Sequence, residues 1–352
     1  MRTEARVEEA KTLFLSPNLH TLILILCLLT PASSVGAQES SAPVGPSSQA
    51  TGEAETIRVE TDLVDLNVSV FSRDPQRAIG ELQQKDFLIL EDGELQEIKL
   101  FASASTPFDL VLLLDLSGSI ADKLDLVRKS AQRFAEAARP IDRVGIVTFT
   151  DVPRLVAPLT FDREEIRARL KKMEKPQGGT SFWDALHGVL AGMLGEARGT
   201  RRSAVIVMTD GVDNALPDVP GDGSRTSFDE LLETVRRSES IVLPIYLDTE
   251  REMIKQRRAT PGSYIYARQQ LVQLALESGS TIYQARKLED LKGVYEQVIR
   301  DLSTVYSIGY RPTNKRRDGS WRAVSVQISG RPDLTARTKR GYYARQLAIT
   351  NQ

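Results

Sequence analysis

Five oxygen-bearing side chains stand where they could together hold a metal ion. Asp115-x-Ser117-x-Ser119 follows directly on the apolar run Leu110 to Leu114. Thr180 follows the pair Gly178-Gly179, and Asp210 ends the stretch Ser203 to Thr209. Carboxylates and hydroxyls are hard donors, suited to Mg²⁺ or to Ca²⁺ or Mn²⁺ in its place. Soft donors are almost missing from the chain. Cys27 is the single cysteine, which rules out an intramolecular disulfide, and His20 and His187 are the two histidines. A zinc site built on histidines and a two-histidine catalytic centre are therefore excluded.

These residues need elements that carry them to one place. An unbroken apolar run reads as a strand buried on both faces, the kind found in parallel sheets. Beyond Asp115, Leu124, Val127, Ala131, Phe134, Ala135 and Ala138 fall on one helical face, closed by Pro140. Arg143–Phe149 is a second buried strand. Arg154–Leu159 is a shorter one that contains Pro158 and is expected at a sheet edge. A charged helix over Asp162–Met173 follows, then a helix opening after Thr180 with Leu186, Val189, Leu190, Met193 and Leu194 facing inward. Strands are expected at Ser203–Thr209, Ile241–Leu247 and Ser280–Tyr283, with a last amphipathic helix from Leu288 to Leu302. The class is α/β, a Rossmann-like doubly wound, mostly parallel sheet over 106–302. In such sheets ligands gather outside the carboxyl ends of the strands, and Asp115 and Asp210 both lie there.

The flanks read differently. Val64, Leu66, Val68 and Val70 alternate with polar residues, as in a strand with one wet face. Asp92-Gly93 between two short strands predicts a hairpin turn with positive φ at both positions. Tyr306–Tyr310 and Arg322–Ser329 alternate in the same way, joined through Asp318-Gly319. Residues 56–105 and 303–345 are expected to pair into one β-sandwich with the α/β domain inserted between them, leaving 346–352 as a tail.

At the amino terminus, Thr21–Thr30 is an apolar segment too short to span a bilayer, followed by small residues up to Ala37. Residues 1–37 read as a signal peptide or uncleaved anchor, and 38–55, rich in Ser, Gly, Ala and Pro, as a disordered linker. The expectation is an exported protein, periplasmic, secreted or at the cell surface, touching a membrane only through that first segment. A net charge of −1 predicts no nucleic-acid partner. Lys315-Arg316-Arg317 beside Asp318-Gly319 reads as a solvated basic turn.

Asp115-x-Ser117-x-Ser119, Thr180 and Asp210 together resemble the metal-ion-dependent adhesion site of von Willebrand factor A domains. The resemblance covers about 108–302. It implies a divalent ion at the sheet edge, bound by the hydroxyls of Ser117, Ser119 and Thr180 and, directly or through water, by Asp115 and Asp210. One coordination position would be left for an acidic residue of a protein or glycan partner. Asp86-Phe-x-x-x-Glu-Asp92-Gly-x-x-Gln96 and Arg340-Gly-Tyr342-Tyr are similar to the VWFA-related Acidobacterial domain proteins. The 211–227 loop and the 150–153 and 178–183 turns would shape specificity. Thr150, Asp151, Gly179, Ser181, Phe182, Trp183, Gly211 and Asp213 are the expected partner-facing residues.

Plainer readings exist for several of these positions. Ser119-x-x-Asp122 and Ser181-x-x-Asp184 each match a helix capping box. His187 and Trp183 suit ordinary packing. Asp213, Asp218 and Asp222 lack EF-hand spacing and read as solvated loop acids. Capping does not explain carboxylates that end buried strands, which need a partner or cation to offset desolvation. An adhesion-type binding module is therefore the leading expectation, ahead of an envelope scaffold with a purely structural ion. A phosphotransferase using Asp115 would need an acid at position 117, where Ser117 stands. A serine hydrolase would have only His187 as its base.

Overall fold

The computed structural model describes residues 63–74, 79–175, 178–195 and 201–346. The expected signal segment, the linker and residues 56–62 lie outside the described residues, as does Cys27. Among the described residues no helix is long and apolar enough to cross a membrane.

In chain order, β1 (Val64–Ser72), β2 (Phe87–Glu91), β3 (Glu94–Gln96) and β4 (Ile98–Ala102) come first. Then follow β5 (Phe108–Asp115), α1 (Leu124–Ala137), β6 (Arg143–Phe149), β7 (Pro153–Thr160) and α2 (Arg163–Lys171). Helix α3 (Phe182–Gly188) runs into a π-helical turn, Val189–Met193, before β8 (Arg202–Thr209), α4 (Phe228–Arg237) and β9 (Ile241–Leu247). Next are α5 (Glu250–Lys255), α6 (Pro261–Ser278), β10 (Tyr283–Ala285) and α7 (Leu291–Leu302). The chain closes with β11 (Val305–Tyr310), β12 (Trp321–Ile328), β13 (Leu334–Arg337) and β14 (Gly341–Tyr343).

Six strands form the central sheet in the order β10-β9-β8-β5-β6-β7. All neighbours are parallel except β6 and β7, which pair antiparallel. Strand β7 carries Pro158 and lies at the edge, where a missing N–H costs no ladder bond. All eight residues of β5 are buried, and their alternation divides two cores. Leu110, Leu112 and Leu114 pack with Val127 and Phe134 of α1, Ile166 of α2 and Tyr295 of α7. Val111 and Leu113 pack with Leu186 of α3, Leu231 of α4 and Tyr264 and Leu271 of α6. The sheet is thus doubly wound.

From β5 the chain builds one side through β6 and β7, then returns to build the other through β8, β9 and β10. The order reverses between β5 and β8. That reversal opens a crevice at the carboxyl ends of those two strands.

Two four-stranded antiparallel sheets, β13-β1-β11-β4 and β14-β12-β2-β3, flank this unit. Each mixes strands from before and after the α/β insertion: β1 pairs with β11 and β13, and β2 with β12. Their inner faces meet through Leu66, Val68, Phe87, Ile89, Tyr306 and Ile308. Asp92 and Gly93 have φ of 49° and 87°, as the β2–β3 turn requires. Glu91, 2% exposed, accepts from the hydroxyls of Tyr310 and Tyr342 and pairs with the equally buried Arg322.

Strands β11 and β12, joined through Asp318-Gly319, belong to different sheets of the sandwich. The strand expected at Ser280–Tyr283 is Tyr283–Ala285, because Gly279 in the left-handed region ends α6 and the next residues make the turn. Helix α6 itself has no counterpart in the sequence reading. Its outer face carries Ile265, Tyr266, Val272 and Leu276, all at least 38% exposed, so apolar residues surround it and its period is hidden.

One side chain ties the crossings between sandwich and sheet together. Arg202, 5% exposed, donates to the carbonyls of Ser103, Ala104 and Thr106 on the outgoing segment. It also donates to the carbonyl of Val305 on the returning one. Its guanidinium carbon lies 4.7 Å from the centroid of the Phe108 ring. Arg202→Met leaves these carbonyls short of a donor and is expected to cost about 3 kcal/mol in urea unfolding. A loss under about 0.5 kcal/mol, the range of an ordinary surface change, would contradict the clamp.

Candidate metal centre

Strand β5 delivers Asp115 and β8 leads into Asp210, one residue past its end. Leu114 is in register with Met208, so the carboxyl ends of the two strands are adjacent. Asp115 is 1% exposed and Asp210 9%. Asp115 Oδ1 accepts from the backbone N–H of Ser117 at 2.9 Å and its hydroxyl at 2.5 Å, while Oδ2 accepts from Thr209 Oγ1 at 2.6 Å. Asp210 Oδ1 accepts from the N–H of Val212. Its Oδ2 accepts from Thr249 Oγ1 at 2.5 Å and Tyr264 Oη at 3.1 Å.

Thr180 reaches the same edge through backbone contacts. The N–H of Leu116 donates to the carbonyl of Phe149 at 3.0 Å, and that of Ser181 to the carbonyl of Thr150 at 2.8 Å. Asn214 holds Thr180 on both sides: its N–H donates to the Thr180 carbonyl at 3.0 Å, and its Oδ1 accepts from the Thr180 N–H at 2.9 Å. The Thr180 hydroxyl makes no hydrogen bond among the described residues, although the residue is only 7% exposed. Ser119 stands on the 3₁₀ turn Gly118–Lys123; its side chain, and that of Asp122, lie outside the described set.

The loops around the site are pinned by acids. Asp151 Oδ1 accepts from the N–H of Gly179. Gly178, at φ +129°, lies against that same carboxylate, and a Cβ there would meet it. Gly211 has φ +78°, and a Cβ would stand 2.9 Å from Leu271 Cδ1. A side chain at either position would displace the turn.

Asp213 is fully buried. It accepts from the N–H groups of Trp183, Ala215 and Ser224 and from the Ser224 hydroxyl. Asp184 accepts from the N–H groups of Arg225 and Thr226. Ser181 makes no side-chain cap, so the Ser181-x-x-Asp184 capping box does not form.

These placements correct the expected partner-facing set. Thr150, Ser181, Phe182, Trp183, Gly211 and Asp213 are all buried. Phe182 stacks on Phe149 with centroids 6.0 Å apart, and Trp183 packs on Phe228 at 5.9 Å. Asp213 is a loop organiser and not a solvated acid. Asp151 is exposed and Gly179 partly so. Sequence reasoning missed Thr209, Thr249 and Tyr264, the hydroxyls on the two carboxylates, and Asn214, which holds Thr180. Thr249 follows the carboxyl end of β9, a signal the sequence did contain. It also missed the rim: Met253 and Arg258 close over Gly118, with Met253 Cε 3.0 Å and Arg258 Nη1 3.7 Å from where a Cβ would sit.

A hard cation fits this arrangement. The donors are all oxygen, and neither carboxylate is ion-paired among the described residues. Burial first, then the charge of Asp210, pushes Asp115 up to about 7, against the hydrogen bonds from Ser117 and Thr209. Burial also raises Asp210. Two desolvated carboxylates without a counter-charge destabilise each other's ionised forms. Between about pH 4 and pH 7 this pair therefore binds more protons in the folded, metal-free chain than in the unfolded one, and its contribution to stability falls as pH rises. Urea unfolding in chelator should show that decline, while saturating Mg²⁺ should remove it by favouring the charged forms. The difference between the two curves separates this pair from Asp65 and Asp301, which burial shifts in the same direction. Coincident curves would contradict the coupling.

Residues 110–212 match the family model for the von Willebrand factor type A domain. A UPF0353 protein of Mycolicibacterium paratuberculosis is 25% identical over 62% of this chain and 66% of its own length. The chain thus spans just under two thirds of that relative. Calcium-activated chloride channel regulator 3A-1 of Mus musculus is 29% identical over 51% of this chain and 20% of its own. Among solved structures, the pilus adhesin SpaC from Lactobacillus rhamnosus GG in its open conformation aligns with a TM-score of 0.45 and 11% identity. That alignment covers 79% of this chain and 47% of SpaC. The sheet order and the matched segment agree: residues 110–212, at the centre of the doubly wound sheet, are similar to the von Willebrand factor type A domain.

Proposed function

We propose that the chain is an exported, divalent-cation-dependent binding module of the adhesion type, which captures an acidic residue of a protein or glycan partner. One observation carries this reading. Asp115 and Asp210 are buried and close enough to act on each other at the switch point, without a cationic partner among the described residues, and the buried Thr180 keeps its hydroxyl unengaged. Asp115, Ser117, Ser119, Thr180 and Asp210 would hold the ion, Mg²⁺ or else Ca²⁺ or Mn²⁺. When bound, the ion supplies a Lewis-acidic anchor for a carboxylate. Thr209 orients Asp115, and Thr249 and Tyr264 orient Asp210, so the donors are preorganised.

The surroundings support an acidic guest. Arg258 stands exposed beside Gly118. A groove of ≈ 540 Å³ opens from Leu116 and Thr150 and is lined by Arg154, Arg169, Lys172 and Lys175, with Glu174 the one carboxylate in its wall. Such a field favours encounter with acidic surfaces and discriminates against basic ones.

The enzyme readings find less support. Ser117 donates to Asp115, and His187 lies under the charge of Glu230 on α4, with no contact to Ser117 among the described residues. The scaffold reading, in which the ion serves stability alone, is separated by experiment. Thr180→Val removes a hydroxyl that holds nothing in the metal-free chain. Its melting point in chelator should stay within the roughly 0.5 kcal/mol range of neutral changes. Its Mg²⁺ affinity by calorimetry should fall by about 10–100-fold, at least the loss typical of outer-shell partners. Capture of acidic partners should fall with it. Unchanged Mg²⁺ affinity would remove Thr180 from the site. Weakened Mg²⁺ binding with undiminished capture would favour the scaffold.

A further inference from the structure

A second pocket lies where the carboxyl end of α4 meets β14 and the 312–317 segment, with a volume of ≈ 230 Å³. Seven cationic side chains line it against two carboxylates, Asp65 and Glu239. Some of that charge is committed. Arg322 pairs with Glu91 at 3.2 Å, Arg237 with Glu233 at 2.7 Å, and Lys315 Nζ donates to the Pro312 carbonyl at 2.6 Å.

Arg316, Lys339 and Arg345 are different. Their side chains make no ion pair or hydrogen bond among the described residues, and all three line this pocket. Lys339 is partly buried and the two arginines are exposed, so the ammonium lies deeper and the guanidinium groups nearer the mouth. Burial holds the Lys339 ammonium below the usual lysine range, even though the charges of Glu239 and Asp65 oppose that shift. A desolvated cation without a bonding partner is costly, and a bound anion would offset the cost.

We propose that this pocket is a binding site for a compact, multiply charged phosphate-type oxyanion, held by Lys339 from within and by Arg316 and Arg345 at the opening. The size favours a small group, since pockets for drug-sized ligands run from about 300 to 1,000 Å³. Guanidinium forks bind phosphate oxygens bidentately, and lysine adds a point charge. The pocket brings together α4 of the α/β unit and strands of the sandwich, so an anion there would brace one against the other. The site is independent of the metal centre and of the adhesion reading.

The test is calorimetry on the full chain with inorganic pyrophosphate, in chelator and at constant ionic strength, so that the metal edge cannot contribute. A parallel titration with a sugar monophosphate distinguishes a free oxyanion from a phosphate group on an organic carrier. Wild type should bind pyrophosphate saturably. Lys339→Met should lose roughly tenfold or more in affinity, the loss of one charge-assisted bond. Removing the ammonium also takes its charge from Asp65 and Glu239, so affinity and not melting point is the readout. Should Lys339→Met fail to fold, the double variant Arg316→Gln/Arg345→Gln changes exposed residues and reads the same loss. Absence of saturable pyrophosphate binding by wild type overturns the proposal, as does unchanged affinity in the variants.

Discussion

Two negative charges held together out of water are the constraint around which the carboxyl edge of the sheet is arranged. Strand order alone brings them there. The chain winds outward from β5 in one direction and returns to wind outward from β8 in the other, so the two strand ends that carry Asp115 and Asp210 become neighbours. Neither carboxylate has a lysine, arginine or histidine to pair with among the described residues. Each is instead held by hydroxyls: Ser117 and Thr209 on Asp115, Thr249 and Tyr264 on Asp210. Neutral donors stabilise a buried carboxylate less than a cation does, so the metal-free edge retains a strong demand for positive charge.

The loops answer to the same edge, yet by a different device. Asp151, Asp184 and Asp213 are spent on backbone N–H groups, each fastening one loop to another: Asp151 to Gly179, Asp213 to Trp183 and Ser224, Asp184 to Arg225 and Thr226. The acids that could compete for an ion are thereby occupied. The loop after β8 is locked against the turn that carries Thr180, which gives Thr180 a fixed position without any bond to its hydroxyl. A site whose donors are held by surrounding contacts loses little freedom when a ligand arrives. The surroundings are basic, with Arg258 at the rim and Arg154, Arg169, Lys172 and Lys175 along the groove beside β7.

Much of this was legible in residue order. The unbroken apolar run of β5, the edge position of the proline-bearing β7, the turn at Asp92-Gly93 and the alternating strands on both flanks all follow from local periodicity. So does the arrival of two carboxylates at strand ends, because a buried run that stops in Asp marks its own terminus. What could not be read belongs to tertiary context. Helix α6 shows apolar residues around its whole circumference, so no period betrays it, and with it went Tyr264. Phe182 and Trp183 stand in a turn expected to face a partner, yet they pack as core against Phe149 and Phe228, for Trp183 the packing role its sequence context also suggested. Asp213 resembles any loop acid until four hydrogen bonds are seen to converge on it.

If Ser117, Thr180 and the two aspartates converge upon one cation, an ion must sit at the carboxyl ends of β5 and β8. A crystal structure of the protein grown with Mn²⁺, with anomalous difference density used to place the ion, tests this directly. The expected result is a single strong peak at the β5–β8 switch point. It should lie within about 2.0–2.6 Å of the Ser117 and Thr180 hydroxyl oxygens, the range of oxygen bonds to hard cations, and its coordination sphere should be incomplete on the solvent side. Absence of a peak there under saturating Mn²⁺, or an ion bound without Ser117 and Thr180, would contradict it.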